Sequence, residues 1–215
     1  MDSPEDQGRD YIRASCVRGL RYGGLLLSLL LPGVYIALTA FHHEMIPLPL
    51  LKTIIESKKS VPFSTSVEVL GLLVAFELLQ ESGVHLPQAI GQSVSVVGGI
   101  VVGTAAVEAG VISPAALIAV SIAGICGFVQ PNRDLAQAVR VWRFGIACLG
   151  ALGGLFGVTV GGIILLIHLS GLESLGVPYL SPFSQGIVPN ILRKRMAAQK
   201  LRPKIFGAKD RRRQK

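Results

Sequence analysis

The chain has 215 residues, of which 50% are hydrophobic and 16% charged, and its mean hydropathy is +0.55. A soluble domain usually carries about 25% charged residues, and here the apolar residues lie in long runs that almost lack charge. This composition excludes an ordinary soluble domain. It predicts an all-α, polytopic helical membrane protein with about four to five transmembrane segments, including broken or hairpin helices and interfacial amphipathic helices.

The net charge of +8 is concentrated near the end of the chain. Residues 193–215 contain eleven of the 21 Lys and Arg residues but one of the 13 acidic residues, so this tail carries +10 and the residues before it carry −2. A nucleic-acid-binding domain would place basic residues on folded faces, whereas these follow the last apolar run. We therefore expect a basic cytoplasmic tail that contacts anionic lipid, and no nucleic-acid partner.

The first apolar run, residues 23–41, contains no charge over 19 residues and is long enough for a transmembrane helix. Four arginines precede it, so residues 1–22 are predicted as a cytoplasmic N-terminal segment. The preceding segment is too long and too acidic for a signal peptide, and no small-residue cleavage site follows the run. The helix is therefore interpreted as uncleaved.

A helix of residues 66–81 is predicted next, because Thr65 and Glu68 have the spacing of a capping box. Glu68 and Glu77 are nine positions apart, about 180° around a helix. Both carboxylates therefore cannot face the same apolar partner. The helix either lies at the membrane interface, which we favour, or crosses the membrane with its carboxylates facing protein or water.

The apolar runs 88–107 and 111–129 are separated by a three-residue break that begins at Glu108. This break fits either a tight helical hairpin or two half-helices that meet inside protein. Glu108 is either a solvated residue of a surface turn or part of a cation pathway, which carboxylates and free carbonyl groups can form. Polar residues on the preceding helix either line that pathway or bond between helices. The candidate pathway residues are Gln92, Ser95, Glu108, Ser113 and Pro114.

The last apolar run, residues 144–172, is predicted to be long enough to span the membrane with tilt or with a buried end, and an amphipathic stretch with membrane-interface anchors precedes it. Glycines at the spacing that lets helix backbones approach one another predict helix-packing surfaces in this run and in the run 88–107. The candidate anchors are Arg133, Arg140, Trp142 and Arg143. The candidate packing residues are Gly99, Gly103, Gly150, Gly153, Gly154, Gly157 and Gly161.

The topology signals conflict. Basic segments at both ends predict both termini in the cytoplasm and an even number of crossings. Four crossings satisfy this condition but place the arginines near position 140 outside, whereas five crossings place them inside and strand the basic tail outside. We favour both termini inside. The resulting division is an N-terminal segment (1–22), a helical membrane domain (23–172), a connector (173–192) and the tail (193–215).

Motifs for catalysis or cofactor binding are lacking in the sequence, which has no nucleophile elbow, P-loop, dinucleotide fingerprint or zinc-protease helix. His42, His43 and Glu44 are better explained as an interface loop than as a metal site, since adjacent histidines point to different sides. His168, near the end of the last apolar run, is the other ionisable candidate. We expect no enzyme activity, no cofactor and no metal.

Several sequence words resemble the membrane domain of one known family. They are LPGVYIALTAFHHEMIPLPLL, SVPFSTSVEVL, ELLQESGVHLPQAIGQSVSVVGGIVVGTAAVEAGVISP, FVQPNRDLAQAVRVWRFG and, in the connector, GVPYLSPF. In this order and spacing they are similar to the A subunits of bacterial spore germinant receptors. The resemblance extends from Ser3 to Phe183. It is therefore specific rather than a general hydrophobic likeness.

The resemblance implies a membrane subunit of a nutrient germinant receptor in the spore inner membrane. Its expected partners are a transporter-like B subunit, a lipoprotein C subunit and further copies of itself, together forming a ligand-gated cation channel. Alternatives are a non-conducting accessory or vestigial scaffold subunit, or a paralogue associated with the dipicolinic acid channel. Family members carry a large soluble N-terminal domain before this part. The sequence is accordingly interpreted as a shortened member, one product of a split gene, or a chain with a misassigned start.

Overall fold

The computed structural model describes residues 11–84, 88–174 and 177–180. Helices make up nearly all of these residues, and the strands are two short segments of two residues each, so the predicted all-α class is confirmed. The elements are α1 (Tyr11–Ala40), a 3-10 turn (His43–Met45), α2 (Leu48–Lys58), α3 (Thr65–Val84), α4 (Gln88–Glu108), α5 (Pro114–Phe128), α6 (Arg133–Gly171), β1 (Glu173–Ser174) and β2 (Val177–Pro178).

The chain divides into two compact units. Gly24–Gly162 forms one unit, and Met1–Gly23 with Ile163–Lys215 forms the other. In the second unit, β1 and β2 pair antiparallel, with Glu173 opposite Pro178. The buried core lies in the first unit and joins α1, α3, α5 and α6 through Ile36, Val69, Leu72, Leu73, Ala116, Val120 and Ala147.

Helix α1 begins at Tyr11, well before the predicted start at Gly23. No proline interrupts residues 11–22, so the helix continues without a break from the polar segment into the apolar run. Within α1, Ile12–Ala40 is long and apolar enough to cross a membrane by length and composition, and Asp134–Gly171 in α6 passes the same test.

Helix α2 lies in the proline-containing segment for which no helix was predicted. Pro47 is its N-cap and Pro49 lies in its first turn. Proline is tolerated there because the first N–H groups of a helix have no partner within the helix. Ile54 is buried, whereas Leu48 and Leu50 are exposed. Only one face of α2 therefore packs against the rest of its unit.

Helix α3 matches the predicted segment, but its predicted capping box is wrong. The Ser64 hydroxyl accepts a hydrogen bond from Val67 N–H, and the Ser64 carbonyl accepts from Glu68 N–H, so Ser64 is the residue that caps the helix. Glu68 does not reach back to the start of the helix, because its carboxylate is bound to Ser113 N–H. The local pattern was overridden by a contact 45 positions away in the sequence.

Helices α4 and α5 form a tight helical hairpin, which decides between the two alternatives for this region. Gly110 has φ +67°, the left-handed conformation that commonly ends a helix, and Val111 N–H returns to the Ala106 carbonyl. The helices then pack closely, because a Cβ at Gly103 would lie 2.6 Å from Leu117 Cδ1. Ser113 caps α5.

Helix α6 reverses direction at Gly154, inside the run 144–172 that was predicted to be long enough to span the membrane. Gly154 has φ +60° and ψ −141°, a conformation available in practice to glycine alone. A Cβ at Gly161 would lie 3.0 Å from Ile146 Cγ1. In a continuous helix these residues would be about 22 Å apart along the axis. The two arms of this α6 hairpin, residues 133–153 and 155–171, therefore run antiparallel near the turn.

The arms of the α6 hairpin approach to backbone contact at its glycines. A Cβ at Gly157 would lie 1.9 Å from the Leu149 carbonyl oxygen. A Cβ at Gly150 would lie 2.9 Å from the Gly33 carbonyl oxygen of α1 and 3.0 Å from Val158 Cγ2. No larger residue fits at either position without a shift of backbone.

We predict that Gly154→Ala destabilises the protein and that Gly153→Ala does not. Alanine at position 154 is strained by the positive φ and meets Phe41 Cβ at 3.1 Å, which should cost about 1–3 kcal/mol of unfolding free energy. A Cβ at Gly153 meets nothing within 4 Å. Denaturant titration in detergent, followed by the fluorescence of the single tryptophan, Trp142, measures both. Equal losses would contradict the reversal.

Candidate functional site

Glu68 is the most completely buried carboxylate among the described residues, with a side chain that is 0% exposed. Its Oε1 accepts a hydrogen bond from the Ser113 backbone N–H at the start of α5. Its Oε2 lies 3.9 Å from Lys58 Nζ at the end of α2. A buried charge requires such partners. One carboxylate therefore connects the ends of three helices.

Lys58 shares its ammonium group between two acceptors. Its Nζ donates a hydrogen bond to Thr65 Oγ1 and also pairs with Glu68. The side chain is 24% exposed, and burial lowers the pKa of Lys58, an effect that the Glu68 carboxylate offsets in part. Lys58 thus lies at the boundary between the buried carboxylate and the protein surface.

Two side-chain oxygen atoms, one of Glu68 and one of Tyr35, are buried without a hydrogen bond among the described residues. Glu68 Oε2 and the Tyr35 hydroxyl have no hydrogen-bond partner within the described part of the chain. The Tyr35 hydroxyl approaches the Ser113 side chain and lies in the field of the Glu68 charge. We call Tyr35, Lys58, Thr65, Glu68 and Ser113 the Glu68 cluster.

A second ion-pair group joins α3 to the first arm of the α6 hairpin. Arg140 Nη1 donates to Glu77 Oε1 at 3.3 Å, and Arg143 Nη2 lies 3.7 Å from Glu77 Oε2. The Arg143 side chain is 4% exposed, whereas that of Glu77 is 44% exposed. Because Arg143 is the buried charge, its pairing matters most. These three residues are the Glu77 cluster.

The residues predicted as a polar pathway do not all lie together. Glu108 is exposed at the end of α4, and Pro114 is exposed as the first residue of α5. Ser113 is fully buried, and its hydroxyl accepts from Ala116 N–H. The side chains of Gln92 and Ser95 lie outside the described residues, although their backbone is part of α4.

The predicted packing glycines mostly face neighbouring helices. A Cβ at Gly99 would lie 3.0 Å from Phe76 Cε1 of α3, and Gly103 packs closely against Leu117 of α5. In the α6 hairpin, Gly150, Gly157 and Gly161 make close contacts, whereas Gly153 faces open space.

The predicted interface anchors divide into two groups. Arg140 and Arg143 bind Glu77, so their charges have a partner within the chain. Trp142 is half-buried on the same arm, and the Arg133 side chain lies outside the described residues.

Metal-binding chemistry receives no support from the residues that the structure describes, where no group of three or more His, Cys, Asp or Glu side chains could hold a metal ion. Of the two adjacent histidines, the His42 ring nitrogen Nδ1 lies 3.3 Å from the Ala37 carbonyl oxygen, and His43 is exposed.

Glu68 and Glu77 are not among the predicted site residues, although the sequence carried a signal for them. Because the two carboxylates lie about 180° apart on α3, they face different partners. In the structure Glu68 contacts Lys58 and Ser113, and Glu77 contacts the two arginines of α6. The missing information was which residues these partners are.

The family model described as "Bacillus/Clostridium GerA spore germination protein" matches residues 1–205. The chain belongs to this GerA family. The resemblance identified in the sequence is therefore confirmed.

Relatives in this family include spore germination proteins of several bacilli. Spore germination protein KA of Bacillus subtilis (strain 168) is 41% identical over 218 residues, which cover 100% of this chain and 40% of that protein. The uncharacterized membrane protein YfkQ of the same strain is 40% identical over 194 residues, 89% of this chain and 38% of that protein. Spore germination protein XA of Bacillus anthracis is 32% identical over 219 residues, 100% of this chain and 44% of that protein.

The chain thus spans about two-fifths of the length of these relatives. No solved structure gives a significant match.

We predict that Glu68→Ala destabilises the protein more than Glu68→Gln does. Alanine leaves the buried Ser113 N–H and Lys58 without an acceptor and a counter-charge, at a cost of about 3–5 kcal/mol. Glutamine keeps an acceptor for Ser113 and removes the charge. The matched control is Glu81→Gln, an exposed carboxylate on the same helix. If Glu68→Ala and Glu81→Gln have equal unfolding midpoints, the cluster does not hold these helices.

We predict that Glu77 is coupled more strongly to Arg143 than to Arg140. Double-mutant cycles with Glu77→Gln, Arg143→Gln and Arg140→Gln isolate each pair. The less exposed Arg143 should give a coupling free energy of about 1 kcal/mol or more, and Arg140 less, because water screens its pair more. Unfolding free energies in detergent provide the measurement. The opposite order would show that burial does not decide the strength of these pairs.

Proposed function

We propose that the protein is a non-enzymatic membrane subunit of a nutrient germinant receptor that contributes to an oligomeric, ligand-gated cation channel during spore germination. The observation that carries this proposal is the family match over residues 1–205, together with relatives whose names denote spore germination proteins. The spore inner membrane is its proposed location.

The apolar helices support a membrane position. Ile12–Ala40 is one segment of sufficient length. The arms of the α6 hairpin offer two shorter segments, and α4 with α5 forms a second hairpin. In this proposal Arg133 and Trp142 contact the membrane interface. Residues 193–215 contact anionic lipid in the cytoplasm.

Exposed apolar side chains support assembly with other membrane helices. Val97 and Val101 of α4 are exposed, as are Leu152 and Phe156 on either side of the α6 reversal. Lipid or neighbouring helices can cover such surfaces. We propose as neighbours further copies of this chain, a transporter-like B subunit and a lipoprotein C subunit.

In the assembly, the proposed cation pathway passes the α4–α5 turn. Glu108 is exposed there and can face a path formed with a neighbouring copy. Gln92 and Ser95 lie on the same helix, and Pro114 follows the turn. Ser113 supports the turn rather than lining the path, because its hydroxyl caps α5 and its N–H binds Glu68.

We predict that Glu108→Gln lowers nutrient-triggered cation flux several-fold while leaving assembly intact. Loss of the carboxylate removes an attraction for cations at the pathway entrance. The measurement is potassium flux from vesicles that contain this chain with its B and C partners. The control is Glu56→Gln, an exposed carboxylate on α2.

Three results would argue against parts of the proposal. Flux unchanged by Glu108→Gln would remove this residue from the pathway. A receptor that needs this chain for assembly but conducts equally without it would favour the non-conducting scaffold. Release of dipicolinic acid that depends on this chain without any nutrient response would favour the paralogous role.

A further inference from the structure

A small pocket lies where the end of α1, the 3-10 turn, α2 and the start of α3 meet. Its volume is about 290 Å³, and its lining includes His43, Leu51, Ile54, Lys58, Lys59 and Thr65. Sites for whole drug-sized ligands occupy about 300–1,000 Å³. The pocket lies at the lower end of this range, and a lipid headgroup is of a size that it can hold.

The lining of the pocket combines basic and apolar side chains. Lys58, Lys59 and His43 supply nitrogen donors, and none of the described residues that line the pocket is acidic. Lys58 forms an ion pair with Glu68, whose side chain is completely buried. An anion is the ligand that this charge distribution favours.

Lys58 donates a hydrogen bond to Thr65 Oγ1 but makes only an ion pair with Glu68. The distance of 3.9 Å between Lys58 Nζ and Glu68 Oε2 is too long for a hydrogen bond, and Glu68 Oε2 has no hydrogen bond within the described residues. The pKa of Lys58 is lowered by burial. A second anion near Nζ would compensate for lost solvation.

The surroundings of the pocket favour an amphiphilic anion. Leu51 and Ile54 form apolar wall, and Met45, Leu48 and Leu50 on the adjoining surface are exposed. A soluble anion gains nothing from these side chains, whereas the acyl chain of a lipid can cover them.

We propose that this pocket binds the phosphate group of an anionic membrane lipid. Lys58 and Lys59 contact the phosphate oxygens, His43 donates from the rim, and the apolar surface around Leu48 contacts the acyl chains. This site lies on α2 and is distinct from the basic tail of residues 193–215. It goes beyond the proposed receptor function and does not depend on cation conduction.

The test uses the full chain purified in detergent, with phosphatidylglycerol or phosphatidylcholine added. We expect phosphatidylglycerol to raise the thermal unfolding midpoint, and Lys58→Gln and Lys59→Gln each to remove at least half of that rise. The matched control is Lys52→Gln, an exposed lysine on the same helix that does not line the pocket. The basic tail is identical in all variants, so its contribution cancels.

Further arms keep the result decisive. If Lys58→Gln does not fold because Glu68 loses its counter-charge, Lys59→Gln and the double variant Lys58→Gln/Glu68→Gln take its place. A full phosphatidylglycerol effect in all pocket variants would overturn the site. An equal rise with sn-glycerol 1-phosphate would overturn the lipid source and assign the pocket to a soluble phosphate ester. None of these outcomes depends on channel activity.

Discussion

The Glu68 carboxylate is the constraint on which the arrangement of α2, α3 and α5 depends. A charged group without solvent exposure must find partners, and Glu68 finds the Ser113 N–H and the Lys58 ammonium. These partners lie on opposite sides of it in the chain, at the end of α2 and the beginning of α5. The α4–α5 turn therefore cannot move away from α3 without breaking the hydrogen bond between the Ser113 N–H and Glu68 Oε1.

The long apolar helices were the predictable part of this fold. Runs without charge place α4, α5 and the end of α1 nearly where the structure has them, because hydrophobic length determines such segments locally. The missed features depend on tertiary contacts. Helix α2 was not predicted, because prolines usually break helices and the sequence pattern does not show that Pro47 and Pro49 lie at its N-terminal end. The capping box failed because Ser113, 45 positions away, binds Glu68 more favourably.

Glycine spacing predicted close helix packing in α6 but could not identify the neighbour. In the structure one neighbour is the same helix after a reversal: Gly157 approaches Leu149, and Gly161 approaches Ile146. The sequence contains several glycines that could each have been the turning point. The backbone conformation at Gly154 alone distinguishes a bent pair of arms from one long span. The number of membrane crossings cannot therefore be counted from apolar length in this region.

Lys58 lines the proposed headgroup pocket and also pairs with the buried carboxylate, while Lys59 and His43 supply further nitrogen donors to the pocket. Because Glu68 is completely buried, drawing Lys58 away from it would leave a buried charge without a partner, so the proposed site requires Lys58 to stay beside Glu68. The same carboxylate holds Ser113 at the turn that carries Glu108. Lys58 therefore belongs both to the Glu68 cluster and to the lining of the pocket.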